Sequence, residues 1–270
     1  MIGVTGATGN IGGRAARLLA DAGHPVRLLV RDASRAPDLP GAEVAGGCDY
    51  ADAKALAEAF AGLSTVFLVS AKEAANRVEQ HKNAVDAARE AGVRHLVYLS
   101  FLSAAPDATF TFARDHHATE QYIKSSGLDF TFLRPSLYLE ALAAFPIDGV
   151  IKGPAGQGRC AFVAQDDVAA VAAAILPQAD VHRGRRYDVT GPEALSMERA
   201  ARLLGVVYLD ETLEDAYASR DVYGAPAWEV EGWVTSYQAI ATGEMSVVSR
   251  TVERATGRPA TSLAKWLAQR

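Results

Sequence analysis

Gly6, Gly9 and Gly12 stand three residues apart in Thr5-Gly6-Ala7-Thr8-Gly9-Asn10-Ile11-Gly12, between an apolar run (Ile2 to Thr5) and a helical one that opens at Ile11. Glycines so placed have distinct physical jobs. Gly6 permits a tight turn, Gly9 lets a ligand reach the backbone with no Cβ in the way, and Gly12 lets helix and strand pack closely. The start of the helix offers free N–H groups and a partial positive charge, which is the chemistry that holds a pyrophosphate. Following the first strand and opening a βα series, the turn predicts a dinucleotide site.

The second chemical signal is Val30-Arg31-Asp32 at the end of the next strand. That strand tip faces the adenosine ribose in such sites. A carboxylate there accepts from the 2′-hydroxyl of NAD, and an arginine there binds the 2′-phosphate of NADP. With Arg31 facing the ribose, NADP(H) is preferred over NAD(H); with a strand one residue longer, Asp32 faces it and the preference reverses. Arg31 immediately follows the strand as read here, which favours NADP(H).

These residues need a scaffold, and the pattern of the chain supplies one. Strands are predicted at Ile2 to Thr5, Val26 to Val30, Glu43 to Ala45, Val66 to Val69, Val93 to Leu99 and Asp129 to Leu133. Helices are predicted at Ile11 to Ala22, Ala53 to Phe60, Asn76 to Ala91 and Asp115 to Ser126, several of them stopped by a glycine. Strands alternating with helices mean crossover connections: an α/β, Rossmann-type, doubly wound parallel sheet. Residues 136 to 160 are rich in Pro and Gly and read as mostly loop. Asp166 is expected to cap an Ala/Val-rich helix ending at Leu176, Arg186 to Thr190 to add a strand, and Ser196 to start a mainly helical remainder. The expected division is a dinucleotide-binding domain of residues 1–135 plus about 160–191, and a small substrate lobe of 136–159 plus 192–270.

With the scaffold in place, several stretches resemble the NmrA-like group of atypical short-chain dehydrogenases, in its quinone-oxidoreductase and triphenylmethane-reductase branch. They are Val4 to Gly13, Leu29 to Asp32, Cys48-Asp49-Tyr50, Phe67 to Ser70, Gln80 to Asn83, Ala88 to Val93, His116 to Glu120 and Phe132 to Tyr138. The resemblance covers most of the first 190 residues and weakens beyond. It implies NADP(H) as cofactor, with Gly6, Thr8, Gly9, Asn10 and Ile11 around the pyrophosphate and Arg31 on the 2′-phosphate. Asp49 and Tyr50 would border the adenine, and Val69 and Ser70 the ribose, with Ser100 counted among the cofactor contacts. Pro135, Leu137 and Tyr138 would flank the nicotinamide.

Ordinary short-chain dehydrogenases use Tyr-x-x-x-Lys, in which the tyrosine donates a proton to the substrate carbonyl. The corresponding segment here is Phe112-Ala113-Arg114-Asp115-His116, and Phe112 has no proton to give. The NmrA-like oxidoreductases share this departure. His116 and Tyr138 are therefore the candidate catalytic residues, with Glu120 on the same helix face as His116. His24, His81, His95 and His182 have no partner pattern and read as structural, and His117 as solvated.

Hydride transfer to a quinone or similar electron-poor acceptor needs positioning and exclusion of water more than a strong acid. Phe101, Phe110, Phe145 and Trp228 are expected to line an apolar substrate pocket, with Trp233 and Tyr237 as further candidates. Two rivals stand beside this reading: a non-catalytic NADP-binding sensor of the NmrA type, and a tailoring reductase of secondary metabolism. The net charge of −5 argues against nucleic-acid binding. Two distant cysteines without a CxxC pattern give no disulfide framework and no metal site, and fit a reducing cytoplasm. No signal-peptide pattern or membrane-length apolar run is present. A small-molecule substrate is expected as partner, and the resemblance leaves monomer and homodimer both open.

Overall fold

The computed structural model describes residues 1–270. In chain order the elements are β1 (Ile2–Thr5), α1 (Asn10–Asp21), β2 (Val26–Leu29), β3 (Glu43–Ala45), α2 (Ala53–Phe60), β4 (Thr65–Val69), α3 (Arg77–Glu90), β5 (His95–Leu99), α4 (Thr111–Ser125) and β6 (Asp129–Pro135). Then come α5 (Leu139–Ala144), β7 (Val150–Gly153), β8 (Arg159–Cys160), α6 (Gln165–Ile175), β9 (Arg185–Val189), β10 (Leu195–Ser196), α7 (Met197–Leu204), β11 (Val207–Asp210), α8 (Leu213–Ala218), α9 (Ala227–Ala241), α10 (Thr251–Thr256) and α11 (Leu263–Leu267).

Seven strands form one sheet in the order β3-β2-β1-β4-β5-β6-β9, and every neighbouring pair is parallel. The expected Rossmann-type architecture is present, and its chain reversal between β1 and β4 opens the crevice where ligands bind in such sheets. The central strands carry apolar side chains on both faces because helices cover both faces. On one side α1 and α6 bury Ile11, Leu19, Val168 and Val171 against Val4 and Phe67. On the other, α2, α3 and α4 bury Phe60, Val85 and Ile123 against Leu68, Tyr98 and Phe132. Each large side chain so buried contributes about 1.5–3 kcal/mol. A third cluster lies among the later elements, where Leu139, Ile151, Met197, Tyr237 and Trp266 pack with Phe101 and Phe110.

Four details depart from the sequence reading. Residues 136–160 contain α5, β7 and β8 instead of continuous loop; β7 pairs in parallel with β11, a strand that local pattern did not reveal. Helix α4 starts at Thr111, not at Asp115, because the Thr111 N–H donates to Thr235 Oγ1 of α9 at 3.2 Å. Asp166 does not cap α6. The Gln165 N–H instead donates to the Glu140 carboxylate of α5, and Asp166 pairs with Arg14 of α1 at 2.7 Å. In each case a partner distant in sequence satisfies groups that a local reading assigns to neighbours.

Asp167 ties the end of the chain to the sheet-covering helix. It is fully buried, and accepts from Arg258 Nη1 and from the Thr261 N–H, both at 2.6 Å. Asp167→Ala leaves that N–H unsatisfied and should cost about 3 kcal/mol. Urea unfolding of the two proteins measures it; a difference below about 1 kcal/mol would contradict this role.

Candidate active site

Helix α1 begins at the glycine turn with no side-chain cap and no acidic residue in its first turn, so its N–H groups are left for an anion. Gly6 has a φ of +60°, and Gly9 N–H donates to Gly6 O at 2.8 Å to close the turn. A Cβ on Gly12 would lie 2.5 Å from Gly6 O, so only glycine lets α1 approach β1 this closely. The turn forms one wall of a cavity of about 500 Å³, together with Thr8, Asn10, Ile11, Arg31, Asp49, Tyr50, Val69 and Ser70. A cleft with uncapped N–H groups at the glycine turn and Arg31 on its wall fits a dinucleotide.

Arg31 is exposed on that cavity, and no side-chain hydrogen bond or ion pair engages it. Asp32 is spent locally. Its Oδ1 accepts from Ser34 N at 3.0 Å and from Ser34 Oγ at 2.7 Å, capping a short helical turn, and these bonds hold its carboxyl below the usual range. A smaller opening against the same glycine turn is lined by Arg14, Arg17 and Arg35, which sequence reasoning did not single out.

Other sequence candidates are committed within the protein. The Tyr50 hydroxyl lies 2.6 Å from both Thr5 Oγ1 and Val69 O, bracing the tips of β1 and β4. Asp49 Oδ1 accepts from Ala51 N at 2.9 Å. Ser100 Oγ donates to Glu120 Oε1 at 2.6 Å. Glu120, completely buried, takes a two-pronged ion pair from Arg134, with Nε at 2.7 Å and Nη2 at 2.5 Å. Glu120 therefore positions α4, with three hydrogen bonds and an ion pair holding it in place. Pro135 is buried at the end of β6, and Leu137 and Tyr138 are half-buried beyond it. Burial pushes the Tyr138 phenol above its ordinary pKa, so it is a poor acid.

His116 is buried in a network that fixes its tautomer. Ala71 N–H donates to His81 Nε2 at 2.9 Å, so neutral His81 carries its proton on Nδ1 and donates to Thr119 Oγ1 at 2.8 Å. Thr119 Oγ1 in turn donates to Asp115 O. With His81 Nδ1 already donating, the Tyr98 hydroxyl donates its hydrogen bond to His116 Nδ1 at 2.9 Å, which leaves the hydrogen of His116 on Nε2. Desolvation, reinforced by the charge on Arg77, lowers the His116 pKa well below the ordinary histidine value; desolvation likewise takes His81 to about 3. His116 is thus a neutral N–H donor at physiological pH. Sequence reading takes His81 as structural and does not single out Tyr98; the packing of α3 and β5 brings both to His116.

An aromatic run leads away from His116. Phe101 stacks on its ring with centroids 6.0 Å apart, followed by Phe110, Phe112 and Trp228 at successive separations of 5.0, 5.5 and 5.9 Å. Gly232 of α9 permits this contact, since a Cβ there would come within 2.2 Å of the Phe112 ring. Phe145 is not part of the run. It packs on Tyr237 and, with Trp233, lines a separate cavity of about 740 Å³ in the later elements. His117 is half-buried with Nδ1 unpartnered, not solvated. No group of three or more His, Cys, Asp or Glu is arranged to hold a metal.

With this geometry in view, residues 6–179 match the family described as NAD(P)H-binding. The chain belongs to the NAD(P)H-binding family. Within it the chain is an NAD(P)H-dependent oxidoreductase, and its resemblance to the NmrA-like reductases holds. It is 37% identical to the (4-alkanoyl-5-oxo-2,5-dihydrofuran-3-yl)methyl phosphate reductase of Streptomyces griseus, across 100% of this chain and 97% of that protein. It is 32% identical to the NAD(P)H azoreductase of Xenophilus azovorans, across 98% and 96%. Among solved structures it superposes on the NADPH-dependent quinone oxidoreductase QOR2 of Escherichia coli complexed with NADPH, with a TM-score of 0.88 at 29% identity, covering 100% of this chain and 99% of that one. The triphenylmethane reductase of Citrobacter sp. complexed with NADP(H) gives 0.84 at 30% identity, covering 99% of each. No helix is long and apolar enough to cross a membrane.

The buried histidines make stability depend on pH. Both are neutral when folded and take up protons when unfolded below about pH 6.5, so stability is complete above that pH and falls as pH drops toward the folded values. Unfolding free energy should decline by about 1 kcal/mol per pH unit per histidine below pH 6, as urea titrations at stepped pH will read. A free energy flat across that interval would mean that the histidines are not buried neutral.

Proposed function

We propose that the protein transfers a hydride from NADPH to a quinone or a similar electron-poor conjugated small molecule. The observation that carries this is the aromatic run from Trp228 to Phe101, ending against a neutral His116 N–H donor. A planar acceptor can stack on such rings for about 0.5–1.5 kcal/mol per contact beyond area burial. Residues 136–159 and 192–270 serve as the substrate lobe in this reading, and 1–135 with 160–191 as the cofactor domain. Relatives that reduce azo compounds, quinones and triphenylmethane dyes support the acceptor class.

Bound in the cleft, the reduced nicotinamide supplies the hydride. The protein's own residues orient, exclude water and donate hydrogen bonds. The glycine turn and the N-terminus of α1 hold the pyrophosphate. Arg31, with Arg35 nearby, holds a 2′-phosphate, and the internal use of Asp32 removes the carboxylate that would favour NAD(H). His116 donates Nε2–H toward the nicotinamide ribose or the acceptor, and Tyr138 closes the pocket. With Phe112 in place of a tyrosine, no proton is delivered from that position, which restricts the chemistry to acceptors that stabilise added electrons themselves.

Two measurements test this. A quinone panel should drive oxidation of NADPH, followed by loss of its absorbance; tight NADP⁺ binding with no turnover of any acceptor would turn the reading to a non-catalytic sensor. Arg31→Glu should weaken NADPH binding by roughly 100-fold and NADH binding by less than about 3-fold, in calorimetric titrations of each cofactor. Equal losses would sink the NADP(H) preference.

A further inference from the structure

Three arginines are buried in this protein, and two of them are neutralised. Arg134 pairs with Glu120, and Arg220 with Glu211, at distances of 2.5 and 3.1 Å. Arg77, the first residue of α3, is only 4% exposed and has no carboxylate within ion-pair distance. Its Nε donates to Ala71 O at 3.0 Å. Its Nη1 is sealed from solvent with no partner. A buried guanidinium without a counter-charge costs several kcal/mol, and folding alone gives no reason to keep it.

Its place in the fold is specific. The Ala71 turn that takes the Arg77 hydrogen bond also donates to His81, one helical turn further along α3, and the His81 ring lies 6.5 Å from that of His116. The Arg77 charge acts on Tyr98, His116, Asp115 and Tyr138 through space. Of the carboxylates near it, Asp115 and Glu73, neither closes an ion pair.

We propose that Arg77 is a catalytic residue whose free guanidinium nitrogens bind the oxygen of the acceptor on which negative charge develops. The inference rests on the quinone-reductase reading. The hydride from the reduced nicotinamide, which is oxidised, forms an O–H bond at one quinone carbonyl; the ring electrons shift so that the π pair of the other C=O moves onto its own oxygen, and water later protonates that oxyanion, releasing hydroxide, to give the hydroquinone. No acid among the site residues supplies this proton, since Phe112 is not one and His116 is neutral. A charge-assisted hydrogen bond to the oxyanion removes the need for one. The Arg77 anchor at Ala71 would hold the β4–α3 turn over the acceptor at the same time.

The full-length protein, wild type and as Arg77→Gln and Arg77→Lys, decides this with two acceptors of opposite character. Naphthoquinone places the new charge on oxygen, whereas a triarylmethane dye cation accepts hydride at carbon and leaves no oxyanion. Arg77→Gln should lower kcat/KM for naphthoquinone by roughly 100-fold, while the dye changes by less than about 3-fold or gains, and NADPH affinity stays within about 3-fold. Arg77→Lys, which keeps the charge and gives up the fork, should recover part of the naphthoquinone activity. Independently of turnover, the hydroxynaphthoquinone anion should bind the NADP⁺-loaded wild type at least about 30-fold more tightly than the Gln variant in calorimetry.

Equal losses for both acceptors, or a matching loss of NADPH affinity, would assign Arg77 to anchoring the turn and overturn the proposal. Absence of quinone turnover in the wild type would remove the quinone-reductase reading. The oxyanion site would then stand or fall on the calorimetry, with equal anion binding by wild type and Gln variant ending it. If the Gln variant fails to fold by circular dichroism, the Lys variant carries the test: a loss of roughly 10-fold for naphthoquinone with the dye within about 3-fold supports the oxyanion contact, and equal rates or equal losses for the two acceptors overturn it.

Discussion

The site depends on one buried ion pair. Glu120 of α4 is fully enclosed, and Arg134 of β6 grips it through two nitrogens while Ser100 at the end of β5 donates to the same carboxylate. Three elements are pinned together at their functional ends. Breaking such a pair strands a charge in a low dielectric and costs about 3–5 kcal/mol, so the geometry has little freedom to drift. His116 sits one helical turn before Glu120, and its position against Tyr98 and Phe101 follows from that pinning.

Burial then sets the chemistry. Desolvation keeps His81 and His116 neutral, and the bonds from Ala71 N–H to His81 and from Tyr98 to His116 assign the His116 hydrogen to Nε2. The site therefore holds a neutral histidine, and Phe112 stands where ordinary short-chain dehydrogenases carry a tyrosine acid. An environment of this kind suits an acceptor that is already electron-poor, because it stabilises charge without moving a proton in the hydride step. The aromatic run built by Phe101, Phe110, Phe112 and Trp228 packs beside it.

The cofactor half of the site was legible because it is local. A strand tip, a glycine turn and a helix start are contiguous, so spacing alone carries the geometry, and the structure leaves Arg31 free on the cavity while Asp32 turns back to Ser34. The acceptor half was legible only in part. Phe101, Phe110 and Trp228 converge while Phe145 goes to another cavity, because helix α9 turns one face to Phe112 and another to Phe145. Ser100 and Tyr50 carry hydroxyls that sequence counts as free, yet both are consumed by partners in other strands and helices. Arg77 gave no signal, since an arginine opening a helix ordinarily sits in water.

By itself, then, the sequence determined the alternation of strands and helices, the parallel sheet and the pyrophosphate turn, because periodicity and glycine φ freedom act over a few neighbouring residues. Tertiary structure decided which polar groups remain available once every buried donor and acceptor has found a partner. That outcome depends on contacts between residues tens of positions apart, such as Arg134 with Glu120 and Tyr98 with His116. A one-dimensional pattern names the groups that can do chemistry. Only packing leaves particular ones, His116 Nε2 and Arg77 Nη1 among them, without a partner.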